Sequence, residues 1–271
     1  YYENVHIVFN DSKMTEILVF DFIVLILIFL RITAMFIAAP IFGHKAVSPM
    51  IKLGLSLILA YIVFLTIDKS AVSFELNLAS LVVYSVKEIV TGLIMGYILN
   101  FVFWGISFAG HLIGFDMGLM FAEVLNPFEE MQNNVVGEIL FFATVLLFLL
   151  INGHHYIITG LVASFSAIPL ANYTINEPVY QLIIKYSLNV FTIAIKIASP
   201  ILVAFFLVHL AEGIIARVIP NIQIFFVSQP LKIGLGLTMI ITLIPFYIYA
   251  IKSLLYGYEN QLLELIKGMS V

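Results

Sequence analysis

Apolar residues fall in long blocks along the chain, at approximately 17–42, 50–67, 76–109, 139–151, 156–170, 179–211 and 231–251. Strands usually run to about 5–6 residues, so blocks of this length predict helices. Between them lies turn chemistry: Ala39-Pro40 with Gly43, residues 68–73, Asn126-Pro127, Asn152-Gly153, residues 172–178, and the stretch from Pro220 to Pro230. The expected fold is all-α, a polytopic membrane protein of long, kinked helical hairpins.

Two block lengths do not suit a simple span. At about 1.5 Å per residue, 179–211 would make roughly 50 Å of helix, against a hydrocarbon core of about 30 Å. It must extend beyond the bilayer, tilt or break. Ser199-Pro200 is the expected break, because proline removes a backbone donor and crowds the preceding turn. The block at 139–151 is short unless it continues through Asn152-Gly153.

Composition fixes the solvent. Of 271 residues, 62% are hydrophobic and 10% charged, whereas a soluble domain has about half and about a quarter. A mean hydropathy of +1.12 agrees with this. At about 20 residues per span the chain has material for about six helices in one membrane unit covering 1–271. Lysines and arginines are spread over successive connections and set no orientation. Residues 1–11 carry acidic residues and no basic n-region, so they do not read as a cleavable signal peptide. Without an initiator Met, the sequence is expected to lack its true beginning.

Candidate chemistry is sparse. The count of zero cysteines removes disulfides and thiolate sites, and a net charge of -4 argues against nucleic acid. No HExxH, GxSxG or phosphate-binding loop occurs, so no catalytic residue, cofactor or metal is expected. His154 and His155 point about 100° apart on a helix, an awkward pair for one metal. The acidic residues Glu123, Glu129, Glu130 and Glu138 around Asn126-Pro127 read as a solvated connector.

The informative polar residues lie inside apolar blocks: Asp21, Arg31, Lys87, Glu88, Asp116, Lys185 and Lys196. A charge there costs about 2.5–3.5 kcal/mol on insertion scales and normally has a partner. Asp21 and Arg31 are about 15 Å apart along one helix, too far to pair, which makes Glu88 a candidate partner for Arg31. Lys185 and Lys196 are about three turns apart on one face, a stripe expected to face a subunit or an aqueous path. Gly92 and Gly96 form one GxxxG step; Gly110, Gly114 and Gly118 form two more, interleaved with Phe115, Met117, Leu119, Met120 and Phe121. Such a segment could bend and fill a lumen, or be a plain kinked helix.

The most specific string runs from Ala216-Arg217 through Pro220-Asn221 and Phe225-Phe226 to Pro230-Leu231-Lys232-Ile233. Physically it is a helical hairpin with a positive charge at each helix end. It closely resembles the FliR-type flagellar biosynthetic proteins and their type III secretion counterparts. Arg31 to Ala34 with Ala39 to Gly43, Glu88 with Gly92 and Gly96, the segment from Gly110 to Ala122, and Asn152-Gly153-His154-His155 carry the same resemblance. Asn126 stands where an Asp before the proline is common, and Asn133-Asn134 replaces a Ser/Thr-Pro-like step.

The resemblance implies a structural and gating subunit of the flagellar export gate in the bacterial inner membrane, at the flagellar basal body. FliP-type and FliQ-type subunits would join it in a pore, with FlhB-type and FlhA-type export proteins, membrane lipid around them, and unfolded flagellar substrates in transit. Residues 17–197 would be FliP-like and 198–258 FliQ-like, much of the assembly being raised out of the bilayer plane. Proton motive force and a separate ATPase would drive export, leaving no nucleotide site here. The stretch from Phe108 to Phe121 would plug the closed pore, with Gly110, Gly114 and Gly118 letting it bend. Arg31, Glu88, Lys185, Lys196, Arg217, Pro220, Pro230 and Lys232 would make assembly contacts. An ion-coupled secondary transporter with discontinuous helices is the alternative, although no inverted repeat is visible.

Overall fold

The computed structural model describes residues 2–67, 77–119, 134–173, 176–219 and 224–270, with side chains from Leu18 onward except Phe225, Tyr258 and Glu259. The described residues form helices and connections without strands: α1 (Tyr2–Ala38), α2 (Pro49–Thr66), α3 (Leu78–Asp116), α4 (Val135–Leu150), α5 (Gly153–Ala167), α6 (Glu177–Val218), α7 (Ile224–Thr242), α8 (Ile244–Tyr256) and α9 (Tyr258–Met269). Among the described residues, four segments are long and apolar enough to cross a membrane: Leu18–Ala38, Pro49–Thr66, Leu78–Asp116 and Glu177–Val218. The bent pairs α4 with α5 and α7 with α8–α9 would raise the number to 6. The all-α polytopic class is as expected.

Three boundaries differ from the apolar pattern. The helix α6 does not break at Ser199-Pro200 but runs 42 residues through Pro200. Pro200 has no N–H for the carbonyl of Lys196, four residues back, and the Ser199 hydroxyl donates to that same oxygen at 3.0 Å. Second, α3 continues through Gly110 and Gly114 to Asp116, so neither glycine interrupts the helix. Third, the last apolar block divides at Leu243, the N-cap of α8, whose first turn accommodates Pro245.

The chain packs as two compact units. One contains residues 1–100, 157–182 and 260–271; the other contains 101–156 and 183–259. In the first, Gly92 and Gly96 bring α3 against α1: a Cβ on Gly96 would lie 2.7 Å from the Met35 carbonyl oxygen and 2.6 Å from the Ala38 Cβ. This is close helix packing of the small-xxx-small kind. Helix α9 buries Leu262, Leu265, Ile266 and Met269 and exposes Glu264 and Lys267, the 3.6-residue pattern of an amphipathic helix. Gly160 receives the side chain of Leu262, and Asn176 donates to the Gly268 carbonyl at 2.8 Å.

In the second unit, the later part of α3 packs on α4. A Cβ on Gly110 would fall 2.6 Å from the Gly137 backbone nitrogen and 2.8 Å from the Val136 carbonyl oxygen. Phe103 stacks edge-on against Phe141 and Phe148 of α4. Asn134 caps α4, accepting from the Val136 N–H at 2.9 Å, and its amide occupies the space where Gly114 has no side chain. The glycines of this segment therefore serve close packing in this conformation.

Candidate functional site: the end of helix α3

Helix α3 ends in a Schellman motif. The Gly118 N–H donates to the Phe115 carbonyl at 2.9 Å and the Leu119 N–H to the Gly114 carbonyl at 3.0 Å, with Gly118 left-handed at φ 77. Helix termini leave carbonyls without intrahelical partners. One of these, on Met117, accepts from the Gln229 Nε2 at 3.0 Å. The Gln229 amide lies over the open face of Gly118, where any Cβ would collide with it.

Two more positions on the same face of α7 complete the contact. Gly236 faces the Met117 side chain: a Cβ there would be 2.6 Å from its Cγ and 2.7 Å from its sulfur. Met117 is fully buried. Between them in sequence, Lys232 bonds Glu212 of α6 at 2.9 Å. Ser228 adds a hydrogen bond to the Glu212 carboxylate, and Lys232 and His209 are within electrostatic reach of Asp116 in the last turn of α3. A cation beside a helix C-terminus also complements its dipole.

The expected plug residues divide by position. Phe108 meets the Phe191 ring edge-on at 5.8 Å, Gly110 and Gly114 are packed as described, and Met117 and Gly118 are buried at the terminus. Phe115 is 65% exposed and Leu119 partly exposed. Met120 and Phe121 lie outside the described residues.

The expected assembly residues divide as well. In the first unit, Arg31 and Glu88 find each other, completely buried, with Arg31 Nε to Glu88 Oε2 at 2.5 Å and Nη2 to Oε1 at 3.1 Å. Arg31 Nη1 also donates to the carbonyls of Ile168 at 3.1 Å and Ser164 at 3.3 Å, and its guanidinium lies 4.4 Å from the Phe165 ring centre. Glu88 Oε1 accepts the Ala171 N–H at 2.8 Å. This pair is internal to the subunit. In the second unit Lys185 lies over the Tyr186 ring, while Lys196, Arg217 and Pro230 are exposed on their helices. Pro220 lies outside the described residues, and Lys232 is internal, bound to Glu212.

Gln229, Gly236, Glu212 and Asn134 were not among the expected residues. Their signal lay in spacing: Gln229, Lys232 and Gly236 occupy i, i+3 and i+7, one face of an otherwise apolar helix. The His154 and His155 rings are 4.3 Å apart, and among the described residues no group of three or more His, Asp or Glu is placed to hold a metal.

The chain matches the family described as bacterial export proteins, family 1, over residues 22–257. The flagellar biosynthetic protein FliR of Bacillus subtilis (strain 168) is 34% identical over 219 residues, 80% of this chain and 84% of that protein. FliR of Escherichia coli (strain K12) is 28% identical over 244 residues, 89% and 91% of the two chains. FliR of Caulobacter vibrioides is 27% identical over 221 residues, 82% and 88%.

Proposed function

The chain belongs to the bacterial export proteins of family 1, the FliR-type proteins, and from that premise we propose that it is a structural and gating subunit of the flagellar protein export gate. As a FliR-type protein it is a membrane component of flagellar biosynthesis and export. The finer reading is a pore in the bacterial inner membrane, at the flagellar basal body, built with FliP-type and FliQ-type subunits. FlhB-type and FlhA-type proteins attend it, and unfolded flagellar substrates pass through. The observation that carries the reading is the match over 22–257, together with FliR relatives covered over 84% and 91% of their length. In this reading 17–197 is the FliP-like part and 198–258 the FliQ-like hairpin, and the role is structural rather than catalytic.

The segment from Phe108 to Phe121 plugs the closed pore. Support comes from its position at the end of a 39-residue apolar helix, with the Phe115 ring exposed immediately before the Schellman turn. Two measurements test the proposal. Purification from native membranes is expected to bring down FliP- and FliQ-like chains, identified by mass spectrometry; an active monomer or small homo-oligomer would point to a transporter. Deleting residues 114–120 is expected to raise ion leakage through the assembled gate. Unchanged conductance in a correctly assembled complex removes the plug role.

A further inference from the structure

The face of α7 formed by Gln229, Lys232 and Gly236 meets three consecutive residues at the end of α3, each by different chemistry. Gln229 donates to the Met117 carbonyl and covers Gly118; Gly236 makes room for the Met117 side chain; Lys232 stands within electrostatic reach of Asp116. Lys232 is also tied to Glu212 on α6, which fixes the α7 face to its neighbouring helix. All of these groups belong to one packed unit. The contact is specific in a way that apolar packing is not. Withdrawing the α3 terminus would leave a backbone carbonyl without its donor and a methionine without its notch.

We propose that this α7 face is a latch that holds the root of the 108–121 segment in the closed gate, and that its release is a required step in opening. The inference rests on the plug reading above and adds to it the element that controls the plug. Opening then has two parts: the Met117 side chain leaves Gly236, and the Gln229 hydrogen bond breaks. The Lys232–Glu212 ion pair keeps α6 and α7 together while the α3 terminus, carrying Asp116, moves away.

A reversible cross-link tests this directly, because the chain has no cysteine of its own. A Cβ at position 236 would be 2.6 Å from the Met117 Cγ. The two Cβ atoms are then no more than about 4 Å apart, compatible with the ~3.5–4.5 Å of a disulfide. In the double variant Met117→Cys/Gly236→Cys the thiol replaces the longer methionine, which relieves crowding at Gly236. With the variant in the assembled gate in native membranes, oxidation by copper phenanthroline is expected to abolish flagellin export, and a reductant to restore it. Each single-cysteine variant should export equally under both conditions. A cross-link that forms while export continues overturns the latch, as does an assembled complex in which no cross-link forms.

If the double variant assembles poorly, Gln229→Leu decides the same point. Losing one neutral hydrogen bond should raise closed-gate ion leakage by about two- to tenfold, and unchanged leakage rejects the latch. The deletion of 114–120 keeps the two proposals apart. A deletion that leaks, together with a lock that leaves export intact, loses the latch and keeps the plug. A deletion without leakage loses the plug reading, whereas a reversible export block by the lock still assigns the latch a role in opening.

Discussion

The Arg31–Glu88 pair gains its effect from completeness. Four guanidinium hydrogen bonds and an aromatic face surround Arg31, and Glu88 also takes the Ala171 N–H, so a fully buried pair links α1, α3, α5 and the turn after α5. Buried pairs gain little over apolar replacements but are costly to break, because the remaining charge stays buried. Glu88→Ala is therefore expected to destabilise the subunit by about 3–5 kcal/mol, and Arg31→Met/Glu88→Leu to recover much of that. Thermal unfolding in detergent of the parent and these two variants measures it. A double variant as unstable as Glu88→Ala would assign the loss to shape rather than charge. Nearby, Tyr173 is buried and its hydroxyl has no hydrogen-bond partner among the described residues. Burial raises its pKa above the ordinary 10.0. The folded state then holds this proton longer than the unfolded chain, so stability falls as pH rises past about 10 and is unaffected below. Tyr173→Phe should melt at or above the parent temperature at neutral pH and lose less stability between neutral pH and about pH 11. A Tyr173→Phe melting temperature well below the parent would show that the hydroxyl has a partner.

At the scale of elements, α6 shows how a proline is carried inside a long helix. The Lys196 carbonyl that Pro200 cannot serve takes its hydrogen bond from Ser199. Ser199→Ala is expected to cost about 1 kcal/mol, and Ser199→Ala/Pro200→Ala to regain it, since the new alanine supplies the missing N–H. Equal melting temperatures for the parent and Ser199→Ala would show that the serine bond contributes nothing. This compensation explains why proline read alone suggests a break. The hydroxyl beside it is visible in the sequence, but its choice of acceptor is a matter of rotamer. The same limit applies to Gly110 and Gly114. As residues they permit bending, and only the arrival of Gly137 and Asn134 makes them sites of close approach. Helix identity was legible because apolar runs of 13 to 34 residues admit little else, and the Arg31 partner was legible because a buried arginine demands a carboxylate. The α7 contact was legible only as a face, from the spacing of Gln229, Lys232 and Gly236, since the acceptor of Gln229 is a backbone carbonyl, which has no sequence signature.

For the whole molecule, the question is where the apolar surface goes. Helix α2 buries Ser56, Ala60 and Val63 and exposes most of its remaining residues. The outer face of α6 presents Leu188, Phe191 and Ile195 together with Lys196. Composition alone would give such faces to lipid. Lys196 distinguishes the destinations, because a lysine against hydrocarbon near the middle of a span costs about 2.5–3.5 kcal/mol on insertion scales, whereas one facing a neighbouring subunit can meet a carboxylate or carbonyl. Its position about three turns from Lys185 on the same face favours a subunit. Lys196→Glu is then expected to reduce recovery of the FliP- and FliQ-like chains severalfold, with Lys196→Arg close to the parent and Lys196→Leu intermediate. Quantitative mass spectrometry of the purified complex reads all three. If Lys196→Leu instead matches or exceeds the parent, the lysine faces lipid, and the 62% of hydrophobic residues serve the bilayer along this face rather than the assembly.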